Sequence, residues 1–131
     1  MKKLMVLGFL ALAACGQQND GTTADGKTDA VVDLTPTESD ISKAAEAVPA
    51  HAQLAAKYDR SCRSCHSTPD AGAPLTAHKA AWDERFKAKD ANGLLTSTKN
   101  GLNAMPAMGL CNDCTDDELM QLTAFMAGRT I

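Results

Sequence analysis

The sequence predicts an all-α fold. His51, Leu54, Ala55, Tyr58 and Cys62 follow the i, i+3, i+4, i+7 spacing of one helix face. Asp90 and Gly101 sit where a helix N-cap and a helix stop belong. Thr115-Asp116-Asp117-Glu118 has capping-box spacing and opens a segment whose Leu119, Leu122, Phe125 and Met126 form an apolar face. No run of β-branched and aromatic residues reads as a strand.

Taken in order, the chain starts with Met1-Lys2-Lys3 and the apolar run Leu4 to Ala14. A charged start before a short apolar stretch has the form of an export signal, and the run is too short to span a bilayer as a permanent helix. It ends in Leu12-Ala13-Ala14-Cys15-Gly16, which resembles the lipobox of bacterial lipoproteins. That resemblance implies a signal peptide over residues 1–14, removal before Cys15, and lipid on the Cys15 thiol. The expected location is the periplasmic side of a bacterial membrane.

Residues 15–48 are rich in Gly, Thr, Asp, Ala and Gln and carry few large apolar side chains. Such a segment buries too little surface to offset its ordering entropy, so it is expected to be a lipid-anchored flexible linker. As a random coil it would reach roughly 30 Å. Residues 49–131 are expected to form the folded domain. The net charge of −3 is uneven. Seven acids face two lysines over residues 16–50, whereas nine acids balance nine bases over residues 51–131. No basic patch points to nucleic acid, and no strong field on the domain sets the sign of a partner.

The domain begins with a helix near Pro49, a residue suited to a first helical turn. A second is expected over residues 76–87 with Trp82 and Phe86, and a third from Asp90 to about Asn100, ending at Gly101. The last follows Thr115, with acids at the positive end of its dipole. Four aromatic side chains, Tyr58, Trp82, Phe86 and Phe125, make a thin core for about 80 residues, and domains of that size commonly need a staple.

Cys62-Arg63-Ser64-Cys65-His66 supplies one, because C-x-x-C-H is the attachment pattern of c-type haem. Each thiol can add to a haem vinyl group, and the adjacent imidazole can reach the iron from below. Of the five cysteines, Cys15 would take lipid, and Cys62 and Cys65 the haem. Cys111 and Cys114 remain; outside the cytoplasm a disulfide persists, so they are expected to bridge a small loop.

His66 gives the iron one ligand. The candidates for the second are Met105, Met108, Met120, Met126, His51 and His78. Met120 and Met126 fall within the last helix, where methionine fills core gaps. His51 and His78 suit solvated or capping roles. Met105 precedes Pro106, which holds it extended in a loop, and is preferred; Met108 stays open.

Cys62 to His66, Gly72-Ala73-Pro74, Ala81-Trp82 with Arg85, and Asn100-Gly101-Leu102-Asn103-Ala104-Met105-Pro106 together resemble a class I cytochrome c. The stretch from Met105 to Leu119, with its Cys111/Cys114 pair, is similar to the cytochrome c5 type in particular. The resemblance covers about residues 54–127. It implies three to five helices wrapped around one covalent haem c, with the first and last helices crossing. It implies thioether bonds at Cys62 and Cys65, axial ligands His66 and Met105, a disulfide at Cys111 and Cys114, and a Pro74 carbonyl bonded to the His66 imidazole. Trp82 and Arg85 would pack against or bond the haem propionates. Leu54 stands where the family often has Gly, so the helix crossing is expected to be wider. Ala107 stands where it often has a second Pro.

A six-coordinate iron has no open position for substrate, so the resemblance implies a one-electron carrier and no enzyme. Methionine opposite histidine raises the reduction potential. The expected partners are respiratory donor and acceptor proteins and, through Cys15, the membrane. Three other readings use the same residues. A zinc site could form from Cys62, Cys65, Cys111 and Cys114. Cys111 and Cys114 could form a redox dithiol, although its usual βαβ setting is missing. A haem without a methionine ligand would suit a peroxidase or ligand sensor.

Overall fold

Thr37 caps the first of the described helices. The computed structural model describes residues 32–130, and Cys15, the signal and half of the expected linker lie outside them. Helix α1 (Glu38–Glu46) opens with a full capping box, in which Thr37 and Asp40 bond each other's backbone N–H. It belongs to the same compact unit as the helices after it. Its Ala44 is fully buried, and its Ala45 carbonyl accepts a 2.8 Å hydrogen bond from Arg63 Nη2. Residues 38–46, expected to belong to a flexible linker, are therefore helical. The composition argument missed a local signal, a Thr-x-x-Asp box that satisfies the first backbone donors of a helix.

The next rod is continuous from residue 52 to 66 but changes winding on the way. Helix α2 (Ala52–Lys57) leads into a π-helical turn, Tyr58–Cys62, and then helix α3 (Arg63–His66). The wider turn shifts the side chains that follow around the rod axis, which no periodicity rule anticipates. Helix α4 (Lys79–Ala88) starts three residues later than the sequence suggested. The cause is tertiary: Thr76 N–H donates to the His66 carbonyl at 2.8 Å, Ala77 N–H donates to the Met126 carbonyl at 2.7 Å, and Ala77 takes φ 65°. These bonds hold residues 76–77 outside the helix.

Helix α5 (Ala91–Asn100) is capped by Asp90 and stops at Gly101. Helix α6 (Asp116–Ala127) is capped by the Thr115–Glu118 box and buries Leu119, Leu122, Thr123 and Met126. Counting 52–66 as one rod, the fold has five helices, and the described residues contain no strand. No helix among them is long and apolar enough to cross a membrane.

The core gathers Tyr58, Trp82, Cys111, Cys114, Leu119, Leu122 and Met126. Tyr58 meets Phe125 of α6 edge to face at 5.1 Å. Leu54 also packs against this core, and it shares an open groove with Gln121, Ala124 and Phe125 of α6. Ion pairs tie the 52–66 rod to the first turn of α6 and to the loop before it. Lys57 Nζ lies 2.5 Å from Glu118 Oε1, and Arg60 Nη2 lies 2.7 Å from each Asp113 oxygen. That loop is closed by the Cys111–Cys114 disulfide, whose Cα atoms are 5.3 Å apart.

Candidate functional site

The 52–66 rod, α4, α5, α6 and the loop over residues 101–110 enclose one large cavity. The rod contributes Ser61, Cys62, Cys65 and His66 to its wall. Cys62 and Cys65 are free thiols, and burial pushes the Cys62 thiol up from its ordinary pKa. The loop contributes Met105 and Met108 on another part of the same lining. Leu94, Leu119, Leu122 and Met126 supply much of the apolar surface.

His66 is held from three sides. Its Nδ1 lies 2.8 Å from the Pro74 carbonyl oxygen. A carbonyl only accepts, so Nδ1 carries the proton and Nε2 keeps its lone pair. Its own carbonyl accepts from Thr76 N–H, and its ring stacks on Trp82 with centroids 5.9 Å apart. Burial pushes the imidazole pKa down, partly offset by the Pro74 bond, and Arg85 also lowers it. The ring is thus held neutral, the form that binds a metal.

Residues 74–76 act as a strap for this arrangement. Pro74 takes the His66 bond, the Leu75 carbonyl accepts from the Trp82 indole N–H at 2.9 Å, and Thr76 Oγ1 meets the Tyr58 hydroxyl at 2.9 Å. Trp82 spends its only donor on Leu75, so it packs against the site and has no N–H for a propionate. Arg85 lines the cavity and donates to the Ala81 carbonyl at 2.9 Å. It has no carboxylate partner among the described residues.

Met126 lines the cavity, although sequence reasoning had set it aside as core. The lining includes neither Met120 nor His51 nor His78. His51 is the exposed N-cap position of α2, and His78 is buried at the N-cap of α4. With Cys111 and Cys114 bonded to each other, a four-thiolate zinc site lacks half its ligands. The described residues contain no group of three or more His, Cys, Asp or Glu side chains placed to hold a metal ion. The donor set on the cavity wall is two free thiols, one imidazole with Nε2 unused, and thioethers, all in apolar surroundings. That set fits a covalently bound haem.

Such a site on an all-helical frame defines the class: a c-type haem protein. The family model described as cytochrome c oxidase, cbb3-type, subunit III matches residues 49–126. Cytochrome c5 of Azotobacter vinelandii is 45% identical over 76 residues, which cover 57% of this chain and 88% of that protein. Cytochrome c5 of Ectopseudomonas mendocina is 41% identical over 68 residues, covering 51% and 78%. Cytochrome c-555 of Chlorobaculum tepidum is 37% identical over 79 residues, covering 57% and 72%. No solved structure gives a significant match.

The chain belongs to the class I c-type cytochromes and is cytochrome c5-like. It binds one covalent haem c and is an electron-transfer protein with redox partners. The matched segment begins after α1, so α1 lies outside the family match.

Proposed function

We propose that this cytochrome is a lipid-tethered one-electron shuttle between respiratory proteins on the periplasmic side of a bacterial membrane. Cys62 and Cys65 would hold the haem through their thiols, and His66 Nε2 and Met105 Sδ would bind its iron. The observation that carries the ligand set is that both free thiols, the oriented His66 ring and Met105 line the same cavity.

When bound, the haem supplies a reversible one-electron couple. The chain's residues tune and protect it. The Pro74 carbonyl fixes the His66 tautomer and ring angle, so the imidazole presents Nε2 without reorientation. A thioether is a weak donor that favours the reduced metal and raises the potential. The walls from Leu94, Leu119, Leu122 and Met126 exclude water, which makes additional charge in the cavity costly. Arg85 places an unpaired guanidinium in the wall, where a carboxylate of the bound group would satisfy it.

Met105 is chosen over Met108 because its backbone is fixed by two hydrogen bonds with Leu102, each 3.0 Å. Met108 instead sits in a short 3₁₀ turn at φ 59°. The weak long-wavelength absorption band of iron(III) bound to methionine sulfur tests this assignment: Met105→Ala should abolish it and Met108→Ala should keep it. The reverse pattern would move the ligand to Met108.

The tether rests on Leu12-Ala13-Ala14-Cys15 and on the polar residues 16–36. Mass spectrometry of the exported protein should find lipid on Cys15. An unmodified Cys15 in a water-soluble product would contradict the anchor and leave the haem assignment intact.

A further inference from the structure

Gly101 ends α5 with φ 82° and ψ 156°, a backbone region almost confined to glycine. Its surroundings require a glycine for a separate reason. Immediately after it the chain reverses, with Leu102 and Met105 each donating N–H to the other's carbonyl at 3.0 Å. The reversal folds residues 105–107 back onto Gly101. A methyl group there would stand 2.9 Å from the Met105 carbonyl oxygen, 3.1 Å from the Ala107 nitrogen and 3.3 Å from the Pro106 carbonyl carbon. All three are backbone atoms and cannot swing aside as a side chain can. Any relief must come from moving the segment that carries Met105.

We infer that Gly101 is a positioning residue for the methionine ligand: its bare Cα is the surface on which the Met105–Ala107 backbone seats. This rests on the proposed ligation by Met105. Gly109 provides the contrast. It lies in the same loop at φ 54°, but a methyl group there would meet only Thr98 Cγ2, at 3.9 Å. Gly109→Ala therefore adds backbone strain to the loop without the collision.

The test uses full-length, exported holoprotein with Gly101→Ala, Gly101→Asn, Gly109→Ala and Met105→Ala. Both Gly101 variants carry the collision together with the backbone strain, because only glycine is at ease in this region. The readouts are the iron(III)–sulfur band, the affinity of iron(III) for added imidazole, covalent haem per chain, and helicity. Both Gly101 variants should weaken or lose the band while keeping haem and helicity. A closed-to-open shift of about tenfold should appear as imidazole binding about tenfold tighter. Gly109→Ala should match the parent.

Gly101 variants with parental band and affinity, alongside a Met105→Ala that loses the band, would overturn the inference and leave the ligation standing. A band retained in Met105→Ala would overturn the ligation and the inference together. Equal loss in Gly109→Ala would reduce the effect to loop strain and overturn the inference. So would loss of haem or helicity in both Gly101 variants, because Gly101 would then serve the whole fold.

Discussion

The imidazole of His66 lies against the indole of Trp82, with ring centroids 5.9 Å apart and planes inclined by 26°. Trp82 in turn donates its indole N–H to the Leu75 carbonyl, one residue beyond the carbonyl that receives His66 Nδ1. Two adjacent carbonyls of one strap therefore fix two stacked rings, and the His66 ring is supported by Trp82.

Trp82→Phe keeps an aromatic surface but leaves the Leu75 carbonyl without its donor. Stability should fall by roughly 2 kcal/mol, the cost of a buried unsatisfied acceptor. Denaturant unfolding of the holoprotein measures this. The same variant should keep its haem, because Trp82 makes no bond to it in this account.

The Lys57–Glu118 contact gives a pH dependence. The Lys57 ammonium, followed by the Thr115 backbone bond, holds the Glu118 carboxyl below its usual range. A carboxyl lowered in the folded state stabilises the fold above its unfolded pKa, and that contribution is lost as pH falls through the folded value. Glu118→Gln keeps a capping-box side chain at that position and removes the charge. The melting-temperature gap between parent and Glu118→Gln should therefore be present at neutral pH and close in acid. A gap that stays constant down to pH about 3, below the carboxylate range, would contradict the ion-pair account.

Arg63, between Cys62 and Cys65, also holds α1 through the Ala45 carbonyl. Arg63→Ala should leave the optical spectrum unchanged and loosen α1. Amide exchange over residues 38–46 should quicken about fivefold, for a hydrogen bond worth about 1 kcal/mol. Unchanged exchange would mean that α1 is held by other contacts, such as those burying Ala44.

The Cys111–Cys114 bridge closes a loop of only four residues. Chain entropy for so short a loop gives about 2 kcal/mol, so the double variant Cys111→Ser, Cys114→Ser should unfold at lower denaturant by that amount. Haem content should not change, since Cys62 and Cys65 are separate from this pair.

Most of this architecture was legible in the residues. Asp90 and Gly101 bound α5, and Thr115 with Glu118 opens α6, because caps satisfy backbone groups locally and need no tertiary information. Cys62, Cys65 and His66 were legible because their spacing is the chemistry. What was not legible depended on distant partners. The late start of α4 arises in this way, from the bond of Ala77 N–H to the Met126 carbonyl in the last helix. Helix α1 is a different case, since its Thr37–Asp40 box was present in the sequence and was outweighed by the polar composition around it. The close approach at Gly101 required coordinates, because the sequence reads that glycine only as a helix stop.

The central claim is that a haem is bonded to Cys62 and Cys65, with its iron held between His66 and Met105. The most direct measurement is the optical spectrum of the exported protein, oxidised and reduced, with its pyridine haemochrome. The account predicts a red protein with a c-type haemochrome and, when oxidised, the weak iron(III)–sulfur band. Colourless protein from a host that attaches haem to other c-type cytochromes would contradict it.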